Sequence, residues 1–164
     1  MKHVIGKTNN GVTVYVDLIS SQAANQISRQ PYLLNLLKEL VERTVITGNE
    51  LQFDQDMGRP VGHESIVETS DTDTVIYAQK LKDDVYTRFV KNAKPKPTQH
   101  VTLILQKNTD DEYELIDTWI GRLSPPRPGS KYENAESIPY WATHAYVLDG
   151  EPVQSKSITK DCPY

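Results

Sequence analysis

Residues 101–121 read VTLILQKNTDDEYELIDTWIG and contain two strand patterns joined by a short polar connector. β-branched, aliphatic and aromatic residues dominate residues 101–107 and 113–120, as is typical of strands. The connector, residues 108–112, has hairpin length, so the two strands are expected to pair antiparallel as neighbours. The chain should therefore contain an antiparallel sheet.

Three more strand candidates precede this hairpin. They cover residues 65–69, 74–79 and 86–91 and share its β-branched and aromatic composition. Together with the hairpin they predict an antiparallel sheet of about four to five strands. This sheet would span roughly residues 64–121.

Helical periodicity is clearest before the strands. Leucines recur at three- and four-residue steps in residues 33–41, and Pro31 suits the first turn of that helix. A weaker helical pattern covers residues 21–28. A short C-terminal helix is expected to begin near Ser137 and to carry His144. The predicted fold class is α+β, with an N-terminal helix packed on the antiparallel sheet and a short C-terminal helix.

Length and composition indicate one globular domain. The chain has 164 residues, of which 37% are hydrophobic, enough to form a single core. We expect residues 1–164 to form one domain, with the main core in residues 31–148 and a tail in residues 149–164. The lone Cys162 excludes an internal disulfide and a four-cysteine metal site. Without a signal-peptide core or an apolar run of about 18 residues, a cytoplasmic protein with no membrane contact is expected.

Positive charge is concentrated near the middle of the chain although the net charge is -4. Between residues 79 and 100, two acidic residues accompany a larger basic set: Lys80, Lys82, Arg88, Lys91, Lys94 and Lys96. A polyanion could bind such a surface. Alternatively, the lysines protect a solvated sheet edge against aggregation.

Arg88 differs from these lysines because strand alternation places it on the same face as Tyr86 and Val90. Both neighbours favour partial burial. A half-buried arginine needs an anionic partner, which can be an acidic side chain of the protein or a phosphate. Arg88 is therefore a candidate functional residue.

Two of the four histidines are candidate acid–base groups. His63 and the adjacent Glu64 follow a turn-like stretch and lead into a strand candidate, a position from which a loop can aim a ring across a sheet. His144 is the second candidate. The simpler interpretation is a surface residue for His63 and a packed helix residue for His144. His3, near the N-terminus, and His100, before a strand, are ranked low.

The end of the hairpin supplies a candidate hydroxyl. Thr118 alternates away from Trp119, so if the tryptophan packs against a helix, the threonine points to the opposite face. There its hydroxyl could bind a phosphate oxygen, although an ordinary strand threonine is the simpler interpretation. Exposed tyrosines such as Tyr86 could stack on a base.

Metal and cofactor chemistry have little support in the sequence. The histidines lack the HExxH spacing, and the acidic run at residues 68–73 lacks the glycine that a calcium loop requires. No glycine-rich phosphate loop, serine nucleophile elbow or dinucleotide fingerprint occurs. We expect neither a metal nor a cofactor.

The order of these elements resembles a known superfamily, the metal-independent endoribonucleases related to barnase, EndoU, colicins and RelE (BECR fold). The resemblance covers residues 31–121 and is closest to toxin-associated and phage-borne branches. It rests on three matching segments: Gly62-His63-Glu64, Thr87-Arg88-Phe89-Val90 and Asp117-Thr118-Trp119-Ile120-Gly121. It implies an endoribonuclease that uses the 2'-hydroxyl of RNA as nucleophile. RNA, tRNA included, and a cognate inhibitor protein would be the partners.

The resemblance also implies roles for the candidate residues. His63 would take one proton-transfer role, Arg88 with Lys91 would hold the phosphate, Thr118 would orient it, and His144 or a tyrosine would complete the acid–base pair. In another arrangement Glu64 is the base. The expected substrate contacts are Lys80, Tyr86, Lys91 and Trp119. The second acid–base group has no firm match, so a non-catalytic RNA- or protein-binding module of the same fold is the alternative.

Overall fold

The computed structural model of this protein describes residues 2–48, 51–80, 85–91, 93–148 and 155–164, and it has a mixed α+β fold, as predicted. Strands are the dominant elements of the described part. In chain order the elements are β1 (Lys2–Lys7), β2 (Thr13–Asp17), α1 (Gln22–Arg29), α2 (Leu33–Glu42), β3 (Gln52–Asp56), β4 (Gly62–His63), β5 (Ile66–Glu68), β6 (Thr74–Lys80), β7 (Tyr86–Lys91), β8 (Pro97–Thr98), β9 (His100–Thr109), β10 (Glu112–Ile120), α3 (Ser137–Trp141), β11 (His144–Val147) and β12 (Ser155–Thr159).

The chain divides into two compact units. The first unit contains residues 1–62 and 97–123, and the second contains residues 63–96 and 124–164. Each unit has a five-stranded sheet. The expectation of one sheet over residues 64–121 is therefore wrong, because β6 and β7 pair within one sheet while β9 and β10 pair within the other. That residues 1–164 act as one domain stays a prediction.

The sheet of the first unit has the strand order β1-β2-β10-β9-β3. Its neighbours are antiparallel except β2 and β10, which run parallel. The predicted hairpin is confirmed as β9 and β10, and an irregularity in its register lies between Leu115 and Asp117. A strand that joins a sheet in parallel to a distant partner has no local sequence signal, so the sequence did not indicate the pairing of β2 with β10.

Two helices accompany the sheet of the first unit. The predicted helix at residues 33–41 is confirmed as α2, whose Leu33, Leu37 and Leu40 are at most 1% exposed. They share a hydrophobic cluster with Leu103 and Leu115 of the hairpin. The helix α1 begins after Ser21, whose hydroxyl accepts the N–H of Ala24 and caps the first turn. The leucine-rich face of α2 thus forms much of the core of this unit.

The sheet of the second unit has the strand order β12-β6-β7-β11-β5. Its neighbours are antiparallel except β7 and β11, which run parallel. One face carries a small apolar cluster that includes Ile76, Phe89 and Tyr146. Because neighbouring residues of a strand point to opposite faces, Arg88 and its pairing partner Tyr77 lie on the other face.

The C-terminal part of the chain differs from the expectation in two ways. The short helix predicted near Ser137 is confirmed as α3, but it ends at Trp141, so its expected inclusion of His144 is wrong. His144 instead begins β11. The expected tail at residues 149–164 is wrong for residues 155–159, because β12 pairs with β6. No helix in the described ranges is long and apolar enough to cross a membrane.

Candidate functional site

Arg88 is held over the second unit's sheet by neutral oxygen atoms. Its side chain is half-buried; Nε donates to the Tyr77 hydroxyl at 3.2 Å, and Nη1 donates to Thr69 Oγ1 at 2.8 Å and to the carbonyl oxygen of His144 at 3.2 Å. No carboxylate of the described residues pairs with it. The guanidinium charge is therefore oriented by its surroundings but is not neutralised by them, which is the condition under which an anionic ligand binds most favourably.

His144 presents an ordered imidazole. Its ring stacks on Tyr140 with a centroid distance of 3.9 Å and an interplanar angle of 6°. Nδ1 lies 2.9 Å from the carbonyl oxygen of Tyr140 and 3.0 Å from Thr143 Oγ1. Because a carbonyl oxygen can only accept, Nδ1 carries the proton in this arrangement. Nε2 has no hydrogen-bond partner in the described part of the chain, and it is not sealed from solvent, so it can exchange a proton with a ligand.

The structure brings Arg88 and His144 together, but it joins them through the main chain. Arg88 touches the carbonyl oxygen of His144, whereas the His144 ring lies in a row of aromatic contacts that continues through Tyr140, Trp141 and Tyr146. Tyr146 contacts Phe89, which faces away from Arg88. The imidazole and the guanidinium therefore extend on opposite faces of the sheet near the start of β11.

Glu64 and His63 lie at the start of the second unit. The Glu64 N–H donates to the carbonyl oxygen of Lys96 at 2.8 Å, which fixes the main chain beside the carboxylate. Burial, and then the charge of Glu64, raise the pKa of Tyr140 to about 12. A carboxylate thus acts on the same tyrosine that supports the His144 ring. His63 is exposed, but it lies in the short strand β4 and not in a loop as expected, and its catalytic role stays a prediction.

The predicted role of Thr118 does not fit its position. Its side chain has 0% exposure, and Oγ1 donates to the carbonyl oxygen of Thr102 at 2.7 Å. The register pairs Thr118 with Leu103, a member of the core cluster of the first unit, so the threonine and not Trp119 faces the core. The expectation of a solvent-facing hydroxyl is wrong because the assumed packing of the tryptophan was reversed.

The predicted substrate contacts have different surroundings. Trp119 is 5% exposed and donates from Nε1 to the carbonyl oxygen of Arg122 at 3.0 Å, a buried position that does not suit a substrate contact. The Tyr86 hydroxyl is hydrogen-bonded to Ser157 Oγ at 2.9 Å, and Lys91 is exposed. The side chain of Lys80 lies outside the described residues.

The first unit contains a histidine–aspartate pair that the sequence interpretation ranked low. His100 Nδ1 lies 3.0 Å from Asp54 Oδ1, and the Leu123 N–H donates to Asp54 Oδ2 at 2.9 Å. The main chain of His100 is also fixed: its N–H donates to Thr98 Oγ1 and its carbonyl oxygen accepts the Gly121 N–H. An aspartate that orients an imidazole is a common arrangement for proton transfer.

The two residues of this pair are 46 positions apart in the chain. No local spacing therefore connects them, and only the pairing of β3 with β9 brings them together. The strand around Asp54 is short and its neighbours are only half-buried, so its pattern does not reveal a functional carboxylate. The pair could not have been found without the strand register.

Within the described ranges, no three histidine, cysteine, aspartate or glutamate side chains converge as a metal site would require. Comparison with protein-family models, with curated proteins and with solved structures finds no match for this chain. The functional argument consequently rests on the geometry of the two units.

Proposed function

We propose that this chain is a metal-independent endoribonuclease that cleaves RNA by attack of the 2'-hydroxyl. The observation that carries the proposal is the state of Arg88: the guanidinium is half-buried, it is oriented by three neutral oxygens, and no carboxylate among the described residues neutralises it. A phosphate of an RNA backbone supplies the missing negative charge.

Proton transfer in this proposal uses the acid–base groups of the second unit. A base removes the proton of the 2'-hydroxyl, the new bond forms between the 2'-oxygen and phosphorus, and the bond from phosphorus to the 5'-oxygen breaks. An acid protonates the leaving 5'-oxygen, so the products are a 2',3'-cyclic phosphate and a 5'-hydroxyl. The ordered ring of His144 is proposed for one of these roles through Nε2, which requires the RNA to contact both faces of the sheet, because the ring and the Arg88 guanidinium extend on opposite faces. Glu64 or the exposed His63 is proposed for the other.

The proposal also includes the superfamily, the partners and the cellular location that the resemblance implies. The chain would be a toxin-like or phage-derived member of the BECR superfamily. It would act on RNA, tRNA included, in the cytoplasm, and a cognate inhibitor protein would restrain it. The uncompensated charge of Arg88 supports the RNA partner in particular.

A second candidate function is RNA binding without cleavage. It is favoured by one observation: the His144 ring and the Arg88 guanidinium extend on opposite faces of the sheet, joined only by the His144 carbonyl oxygen. A phosphate bound at Arg88 would then lack this proton-transfer group. The ordered guanidinium would still hold the strand.

One assay separates the two functions. Purified protein is incubated with total tRNA and with rRNA, in the presence and absence of EDTA, and the RNA ends are analysed. Endoribonuclease activity predicts fragments with 2',3'-cyclic phosphate ends in both conditions. Retained binding in a filter assay without any fragments would establish the second function. Cleavage that EDTA abolishes would contradict the metal-independent mechanism.

A further inference from the structure

An aromatic ring lies beside the Arg88 site. Tyr164, from the segment expected to be a tail, packs edge-on against Tyr77 with a centroid distance of 5.9 Å and an interplanar angle of 86°. Tyr77 is the residue whose hydroxyl accepts the Nε–H of Arg88. The pairing of β12 with β6 brings the C-terminal segment beside β6, and the contact with Tyr77, the pairing partner of Arg88, places the Tyr164 ring on the face that carries the arginine.

The two tyrosines of this contact differ in exposure. Tyr77 is 8% exposed and its ring is covered, whereas Tyr164 is 36% exposed. Burial raises the pKa of Tyr164, and the nearby Arg88 charge acts against this rise. Tyr164 therefore remains a neutral ring near neutral pH, and it keeps part of its surface open to solvent within reach of the guanidinium's electric field.

Hydrogen bonds of the C-terminal segment add to the ring contact with Tyr77. The Cys162 thiol donates to the Tyr164 carbonyl oxygen at 3.0 Å. Earlier in the same segment, Ser157 is hydrogen-bonded to the Tyr86 hydroxyl at 2.9 Å. The bond from Ser157 attaches the segment to β7, and the contact with Tyr77 restricts the Tyr164 ring, which reduces the entropy lost when a ligand stacks on it.

We infer that Arg88 and Tyr164 form a two-part subsite for single-stranded RNA, in which the guanidinium binds a phosphate and the tyrosine ring stacks on an adjacent base. This inference rests on the proposed RNA-directed function and adds the residue that contacts the base. A charged group that follows the backbone next to an aromatic ring is the arrangement by which proteins bind unpaired nucleotides. Stacking is tolerant of base identity, so the subsite would select single strands more than sequences.

The inference is tested with two fluorescent oligonucleotides of equal length. One is a 2'-O-methyl RNA, which cannot be cleaved by 2'-hydroxyl attack, and the other has the same backbone with abasic residues. Affinities are measured by anisotropy for the unaltered protein, Tyr164→Ala, Tyr164→Phe and the control Tyr132→Ala. Tyr132 is an exposed tyrosine of the same unit, placed next to Lys131.

Stacking predicts that Tyr164→Ala weakens binding of the base-bearing strand by about 5- to 150-fold, the range for one stacked base. Binding of the abasic strand should be unchanged, and Tyr164→Phe and Tyr132→Ala should bind both strands like the unaltered protein. Tighter binding by Tyr164→Ala would show that the tyrosine covers the site, and an equal loss for both strands would show a structural role. Each of these two results would overturn the inference. Unchanged binding by Tyr164→Ala, or an unaltered protein that binds neither strand, would also overturn it.

Cleavage of unmodified RNA is measured in parallel, which keeps the two proposals separate. Base-dependent binding without cleavage would leave the subsite intact and refute the endoribonuclease. Cleavage that is unaffected by Tyr164→Ala, together with unchanged binding, would refute the subsite and leave the endoribonuclease intact.

Discussion

Each of the two units holds a histidine by its Nδ1 atom, but the partners differ. In the first unit His100 contacts the carboxylate of Asp54, which is itself held by the Leu123 N–H. In the second unit His144 contacts the carbonyl oxygen of Tyr140 and the hydroxyl of Thr143. Neither Nε2 atom has a partner in the described part of the chain.

The difference concerns charge as well as orientation. Asp54 places a carboxylate beside its histidine, and the pair links β3 to β9. The second unit instead offers neutral oxygens to both His144 and Arg88, and the cation there has no acidic counterpart among the described residues. An ordered cation without an acidic counterpart attracts an anionic substrate, whereas a carboxylate beside a histidine repels it. The second unit is therefore where we propose the endoribonuclease reaction to take place.

The largest effect on RNA cleavage should come from replacing His144, and replacing His100 is the comparison. His144→Ala should lower the rate of RNA cleavage by about 100- to 10,000-fold, the usual contribution of a positioned acid or base. His100→Gln should leave the rate nearly unchanged, because Asp54 orients a ring that the proposed reaction does not use. The measurement is single-turnover cleavage across a range of pH, with melting curves to confirm folding. A rate loss in His100→Gln alone would move the chemistry to the first unit.

Arg88 should give the next largest effect. Arg88→Ala should reduce cleavage by about 100- to 1000-fold, comparable with the loss of one donor to a developing negative charge. Arg88→Lys should recover part of this loss because it keeps the charge but not the forked geometry. Lys131→Ala, a change at an exposed lysine of the same unit, is the control and should cleave normally.

The salt dependence of RNA binding provides a check on the role of Arg88. Removing one phosphate contact should flatten the slope of log affinity against log salt by about 0.7 for a single strand. An unchanged slope in Arg88→Ala would show that the arginine supports the fold and does not touch phosphate.

Local patterns in the sequence predicted the local elements of this fold. The leucine spacing of α2 and the connector of the β9–β10 hairpin were sufficient because each involves residues close in the chain. The division into two five-stranded sheets was not predictable, since it depends on pairing between distant strands such as β7 with β11. Strand propensity does not specify partners.

The candidate site around Arg88 was predicted only in part, because it too depends on contacts between residues that are distant in the chain. Alternation placed Arg88 on one face with Tyr86, which is half-buried, and Val90, which is buried. Its neutral partners come from elsewhere in the chain: Thr69 follows β5, and His144 begins β11. The assignment of Thr118 failed because alternation gives two faces without saying which one a helix covers. Tyr164 escaped notice because its position depends on the pairing of β12 with β6.

Substitution of Thr118 in the first unit should lower the stability of the protein and leave RNA cleavage unchanged. Thr118→Val removes the buried donor to the Thr102 carbonyl oxygen while keeping the shape, so the free energy of unfolding should fall by about 1 to 3 kcal/mol. Thr74→Val, at an exposed strand threonine of the second unit, should change it by less than about 0.5 kcal/mol. Urea unfolding measures both, and cleavage should be unaffected in each. A large loss of cleavage with normal stability would restore Thr118 to the active site.

The smallest effect should be a pH dependence in the second unit. The pKa of Tyr140 is raised to about 12, first by burial and then by Glu64. Since the folded protein favours the neutral phenol, this group's contribution to stability is complete below the unfolded pKa near 10.0 and is lost as pH rises towards 12. The ionisation can be followed as the tyrosinate absorbance that disappears in Tyr140→Phe.

Glu64→Gln sharpens this measurement because it separates the two causes. It should lower the pKa of Tyr140 only part of the way towards its ordinary value, because burial, the larger cause, remains. Asp161→Asn, at an exposed carboxylate in the same unit, should leave the difference titration unchanged. If Glu64→Gln has no effect either, the carboxylate does not act on the tyrosine that supports His144, and Glu64 loses its place as the second proton-transfer group.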